Sequence, residues 1–185
     1  VAESGLRILA ISGSLRSVSS NTELLRAAAA LVPAGVTIDL YDRLAELPHF
    51  NPDIEPSASA PVMDLKTRLD KADGLMISSP EYARGVVGSL KNALDWLVGG
   101  SEFVDKPVAL MSASSRSTHA YEALRLTVST MSGLIVKDAS ITLPLLGRNL
   151  DAAGIVADPE LSSMLRAALD ALQRAIGERT NEGAS

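Results

Sequence analysis

A chain of 185 residues, 46% of them hydrophobic, is long enough for one domain whose core needs no staple. It contains no Cys, which excludes disulfides, thiolate metal sites and a Cys nucleophile. A net charge of −5 without a basic run speaks against nucleic acid or anionic membrane as partner, and no apolar run approaches the roughly 20 residues of a membrane span.

Short apolar runs alternate with amphipathic segments, the pattern of a parallel sheet covered on both faces. Leu6 to Ser12 reads as strand one. Asn21 to Val32 reads as a helix, with Leu24, Leu25, Ala28, Leu31 and Val32 on one face. Val36 to Tyr41 is strand two. A Pro-bearing connection from Arg43 to Ala60 (Pro48, Pro52, Pro56) ends at Pro61, which suits a first helical turn. Val62, Leu65, Leu69 and Ala72 give that helix its buried stripe.

Leu75 to Ser78 is strand three, and the helix after it is expected to bury Leu90, Leu94, Leu97 and Val98, with Trp96 off the stripe. Val108 to Ser112 is strand four, followed by a helix carrying Ala123, Leu124, Val128 and Met131. Leu134 to Leu143 reads as strand five. Asp158 and Pro159 supply an N-cap and first-turn Pro for the last helix, with a stripe from Leu161 to Ile176. This order predicts an α/β three-layer sandwich on a five-stranded parallel sheet of order 2-1-3-4-5, with its switch point between strands one and three. One domain over 1–185 is expected, its core about 6–177 and a polar tail over 178–185.

Three loops follow strands one, three and four, and a parallel sheet puts them on one rim. The first stops at Gly13 and opens onto Ser14, Arg16, Ser19, Ser20, Asn21 and Thr22 before a helix begins. Hydroxyls, an amide and a guanidinium at a helix N-terminus are what a phosphate needs. Ser20-x-x-Glu23 also reads as a capping box, which accounts for Ser20 without a ligand and turns Glu23 back toward the cap. The second loop is Ser79-Pro80-Glu81-Tyr82-Ala83-Arg84-Gly85. The third runs from Ser112 through Ser114, Ser115, Arg116 and His119 to Ala120. There is no G-x-S-x-G elbow, no nucleoside-triphosphate loop and no metal-ligand spacing.

Gly13-Ser14-Leu15-Arg16 with Ser19 and Asn21, and Pro80-Glu81-Tyr82 followed by Leu90-Lys91-Asn92-Ala93-Leu94-Asp95-Trp96, resemble the signatures of the NAD(P)H-dependent FMN reductase family. These are flavodoxin-like enzymes that include quinone and chromate reductases, and the resemblance runs from about Leu6 to Ile176. It implies bound FMN, with Ser14, Arg16, Ser19 and Asn21 at the phosphate. The loop from Pro80 to Gly85 passes along the isoalloxazine, and where many relatives carry a Gly-Gly pair the hydroxyls of Ser112, Ser114 and Ser115 substitute for it or the pocket is narrower. Two further departures are Ala83 where the family has Asn and Val87 where it has Pro.

The resemblance also implies a reaction: hydride passes from NADPH or NADH to the flavin N5, then electrons go to FMN, a quinone or a similar small acceptor. The cofactor carries that chemistry, so no catalytic side chain and no metal is named. Glu81 and Tyr82 read as loop structure or subunit contacts, Arg84 as a ligand for the nucleotide's phosphates or a solvated cation, and His119 as a cover for the ring or a helix start. A homodimer, or a tetramer built as a dimer of dimers, is expected, with Trp96 as candidate anchor. The setting is cytoplasmic, since no cationic and apolar leader opens the chain. The competing readings are a flavodoxin-type electron carrier, which would show a T-x-T-G-x-T loop and stacking aromatics, and a family member that binds flavin weakly and has another role.

Overall fold

Strand β1 (Leu6–Ser12) is the spine of the sheet: from Ile8 to Ile11 no side chain is more than 1% exposed. The computed structural model describes residues 5–182. In it β1 lies between β2 (Val36–Tyr41) and β3 (Gly74–Ser78), parallel to both. β4 (Glu81–Tyr82) and β5 (Gly85–Val86) form a separate antiparallel hairpin. β6 (Pro107–Met111) and β7 (Leu134–Ile135) complete a five-stranded parallel sheet of order β2-β1-β3-β6-β7, the expected doubly wound arrangement.

Alternation along each strand divides the core between the two faces. Ile8, Ala10 and Met76 pack on one face against α1 (Ser20–Leu31), α5 (Ala152–Ala157) and α6 (Pro159–Glu182). Leu9, Ile11 and Ile77 pack on the other against α2 (Ala60–Asp70), α3 (Gly88–Leu97) and α4 (Thr118–Thr130). Asp158 caps α6 as expected, its Oδ1 accepting from Glu160 N at 3.1 Å and Leu161 N at 3.0 Å. Among the described residues no helix is long and apolar enough to cross a membrane.

Several expectations are corrected. The long fifth strand is only Leu134–Ile135, followed by a 3-10 turn over Lys137–Ala139 and one isolated bridge between Ser112 and Thr142. The Ser140 hydroxyl is the cause: it accepts from Leu110 N at 3.0 Å and donates to Val136 O at 2.9 Å, replacing a main-chain ladder bond with a side-chain one. On α4 the buried stripe is Ala120, Leu124 and Val128, whereas Ala123 is exposed. Two elements have no counterpart in the sequence reading, the β4–β5 hairpin and α5. Of the polar tail, residues 178–182 continue α6, and 183–185 lie outside the described residues.

The largest correction concerns α3. Val98, expected in the core, follows the last helical residue and is 62% exposed. Trp96, expected on the surface as a subunit anchor, is 3% exposed within the single chain. Its Nε1 donates to Pro48 O at 2.8 Å, and Phe50 meets its ring edge-on at 5.1 Å. Asn92 adds a second clasp, donating to Pro48 O at 2.9 Å and accepting from Phe50 N at 2.7 Å. The Pro-bearing connection therefore folds back over α3 and gives it a second buried face, which one-stripe periodicity does not reveal.

Candidate functional site

The loops after β1, β3 and β6 meet at the carboxyl ends of the strands around a cleft of about 690 Å³, a size typical of small-molecule sites. Ser14, Arg16, Ser19, Ser20 and Asn21 line it from the first loop, Pro80, Glu81 and Tyr82 from the second, and Ser114 from the third. Thr22, Ala83, Arg84, Gly85, Ser112 and Ser115 do not line it.

The first loop is pinned by its neighbours. Gly13 N donates to Ser78 O at 2.8 Å, and Ser89 Oγ donates to Gly13 O at 3.0 Å. A Cβ on Gly13 would lie 2.7 Å from Ser79 Oγ and 3.0 Å from Val87 Cγ2, so only glycine permits this approach. Asn21, the second residue of α1, is buried, its Oδ1 accepting from Ser78 Oγ at 2.9 Å. Thr22 turns under the loop instead, sharing a 2.8 Å hydrogen bond with Ser12 Oγ. That bond to the end of β1 is why it leaves the cleft.

The helix cap falls one residue earlier than the capping-box pattern places it. Ser19 is the N-cap, its Oγ accepting from Thr22 N at 3.4 Å, and Ser20 is the first helical residue. Glu23 does not turn back. Its Oε1 pairs with Arg26 at 2.5 Å, and its Oε2 accepts from Ala152 N at 2.8 Å, at the start of α5. A helix that the sequence reading lacked supplied the competing donor.

In the second loop, β4 and β5 are joined by Ala83 and Arg84, with φ of 50° and 58°. Positive φ at both central residues is the requirement of a type I′ turn, which favours Asn-Gly. The turn residues stand away from the cleft for that reason, because the hairpin carries them out on its tip. Glu81 Oε2 accepts from Ala120 N at 2.9 Å, capping α4, whose own N-cap Ser117 makes no side-chain bond. Val87 has φ −62°, the value a Pro would impose, and is buried against Gly13.

The third loop folds on itself. Ser112 Oγ donates to Ser114 O at 2.8 Å and accepts from Ser114 N at 3.3 Å, which turns Ser112 inward. Ser115 faces solvent, while Arg116 and Ser117 line the cleft. His119 is an exposed residue in the first turn of α4. The fourth wall, Leu146, Asn149, Leu150 and Asp151, was missed. It arrives because the chain after β7 runs beside the third loop, with Leu143 N donating to Ser112 O at 2.8 Å and Leu145 N to Ala113 O at 3.3 Å. Its sequence signal is slight: Gly147 and Asn149, both at positive φ.

The cleft carries both signs of charge, in different states of pairing. Each of its three carboxylates is held by a helix N-terminal amide: Glu23 by Ala152 N, Glu81 by Ala120 N, and Asp151 by Gly154 N at 2.7 Å. Its two guanidiniums, Arg16 and Arg116, have no acidic partner among the described residues. Each unpaired guanidinium offers a local anchor for an anion.

Residues 6–145 match the family model described as NADPH-dependent FMN reductase. The chain is 32% identical over 174 residues to the NAD(P)H-dependent FMN reductase PA1204 of Pseudomonas aeruginosa, an alignment covering 91% of this chain and 94% of that protein. It is 38% identical over 112 residues to a 2-hydroxy-1,4-benzoquinone reductase of a Burkholderia species, covering 59% of this chain and 61% of that one. In structure it is similar to FerB, a flavoenzyme NAD(P)H:acceptor oxidoreductase of Paracoccus denitrificans, with a TM-score of 0.83, 25% identity, and coverage of 94% of this chain and 98% of that chain. The chain belongs to the NADPH-dependent FMN reductase family and is an FMN-binding, NAD(P)H-dependent oxidoreductase.

Proposed function

We propose that the cleft at the carboxyl end of the sheet holds FMN and that the enzyme reduces quinone-type acceptors with NAD(P)H. The observation that carries this reading is local: Arg16, with no acidic partner among the described residues, lines the cleft on the loop that leads into the N-terminus of α1. A phosphate monoester is a dianion that needs several donors at once. Arg16, the hydroxyls of Ser14, Ser19 and Ser20, and the first amides of α1 form such a set, so the residues present suit the group. Asn21, whose Oδ1 accepts from Ser78 Oγ, lines the cleft at the same end.

FMN supplies the chemistry when bound, accepting a hydride from the nicotinamide and passing electrons to the acceptor. The protein binds, orients and excludes. Pro80, Glu81 and Tyr82 form a wall whose position is set by the hairpin and by the bond from Glu81 to α4. Glu81 and Asp151 are committed to amides, and no side chain is needed to move a proton. Val18, Tyr82 and Leu146 surround the opening with exposures of 77, 54 and 58%. That apolar rim suits an uncharged aromatic acceptor such as a quinone, and the Burkholderia relative is named for one.

A homodimer remains part of the reading, on different surface from Trp96. Phe50, Ile54 and Met63 are exposed apolar side chains on α2 and the connection before it. A cytoplasmic setting goes with it, being where reduced nicotinamide nucleotide is maintained. The test is the spectrum of the purified protein with FMN, followed by anaerobic NADPH addition and then a benzoquinone. Bleaching by NADPH and recovery by quinone support the reading; a flavin that NADPH bleaches but quinone leaves reduced would refute the acceptor.

A further inference from the structure

We propose that Arg116 recognises the 2′-phosphate of the pyridine nucleotide and makes NADPH the preferred electron donor, an inference that rests on the flavin cleft described above. The two free guanidiniums stand on loops from different strands. Arg16 follows β1 and Arg116 follows β6, with β3 between them, so the loops leave the sheet roughly 10 Å apart. The first loop, with the α1 N-terminus, accounts for the FMN phosphate. Arg116 is then left with a second anion to meet.

Its surroundings favour a ligand over an internal partner. The acid nearest on the hairpin wall, Glu81, is committed to Ala120 N, and Asp151 to Gly154 N. The backbone beneath Arg116 is fixed: its own N donates to Ser114 Oγ at 3.1 Å, and Ser117 N donates to Ser114 O at 3.3 Å. A rigid turn that presents an uncommitted side chain is preorganised for binding.

Position selects the phosphate. The third loop runs outward from buried Ala113, where it meets the sheet, to exposed Arg116, at most about 10 Å of backbone. A nicotinamide bound for hydride transfer would sit toward the buried end, which would leave the adenosine half of the nucleotide toward the rim where Arg116 stands. The 2′-phosphate is a monoester and a dianion, whereas each bridging phosphate carries a single charge. The planar fork of Arg matches a monoester through paired hydrogen bonds.

The binding test uses 2′,5′-ADP and 5′-AMP as probes, titrated calorimetrically into the full chain with and without FMN. Wild type should bind 2′,5′-ADP more tightly, Arg116→Ala should lose about 10- to 100-fold for 2′,5′-ADP and little for 5′-AMP, and Arg116→Lys should recover part of the loss. In turnover the same variants should raise KM for NADPH with kcat little changed, and affect NADH far less. Equal losses for both probes would place Arg116 on a phosphate they share and overturn the assignment, as would no loss at all. Weakened FMN binding in Arg116→Ala would overturn it in favour of the flavin phosphate. If wild type takes up no FMN yet still discriminates the probes, the inference on Arg116 stands and the flavin reading fails.

Discussion

The Ser78 hydroxyl, at the end of β3, donates a 2.9 Å hydrogen bond to Asn21 Oδ1, at the start of α1 and 57 residues away in sequence. Both side chains are buried. The bond fixes the loop between β1 and α1 to the strand beside it, across the switch point of the sheet.

Asn21→Ala should therefore destabilise the fold by about 1–3 kcal/mol, because it strands a buried hydroxyl. Urea unfolding followed by circular dichroism reads the change. Ser78→Ala removes the donor and not the site-facing amide, so it should lower stability with a smaller effect on FMN affinity. A larger loss of FMN from Ser78→Ala than from Asn21→Ala would contradict the arrangement.

Trp96 is a clamp on the Pro-bearing connection, not a surface anchor. Trp96→Ala should cost about 3–5 kcal/mol of stability, the range for large aromatic truncation in a core. Trp96→Phe keeps most of the packing and loses the bond to Pro48 O, and should cost about 1 kcal/mol. Denaturation curves, combined with sedimentation, check this. Dissociation of an oligomer by Trp96→Ala without loss of stability would restore the anchor.

How much was legible follows from the range of each interaction. Strands β1, β2 and β3 and their order were readable because each is a short apolar run closed by a turn, a local signal. The role of Trp96 was not, since periodicity on α3 reports one face and the second face is made by Pro48 and Phe50. Ser14, Arg16, Ser19, Ser20 and Asn21 of the first loop line the cleft, whereas Thr22 turns to Ser12. Arg116 and the wall from Leu146 to Asp151 belong to the cleft through pairing beside β6, which no local motif announces.

The hairpin tip stores strain. Ala83 and Arg84 both hold positive φ, where a Cβ is unfavourable by about 1–2 kcal/mol per residue. Arg84→Gly should raise stability by up to about 1 kcal/mol, and Ala83→Asn by less, since Asn tolerates this region better than Ala. A rise in Tm for both, with FMN affinity unchanged, is the expected result. A fall in Tm for Arg84→Gly would show that the Arg side chain contributes more than its backbone costs.

Alkaline stability depends on Tyr41. Burial, reinforced by Asp64, pushes its phenol up to about 12, while its Oη donates to Pro61 O at 3.3 Å. The folded state therefore favours the protonated phenol. Its contribution is fully present below about pH 10, the ordinary phenol value, and is lost as pH rises through about 12. Tyr41→Phe should flatten the decline in unfolding free energy between those limits. An unchanged slope would mean that the phenol ionises as freely in the fold as in the unfolded chain.

The most direct test of the cleft is the ratio of FMN to riboflavin affinity, measured by flavin fluorescence quenching in wild type and in Arg16→Ala. Riboflavin lacks only the phosphate. Wild type should favour FMN strongly, and Arg16→Ala should weaken FMN by about 1.5–3 kcal/mol, the worth of a hydrogen bond to a charged group, while leaving riboflavin nearly unchanged. Equal affinity for the two flavins in wild type, or an equal loss of both in Arg16→Ala, would contradict a phosphate site at the loop between β1 and α1.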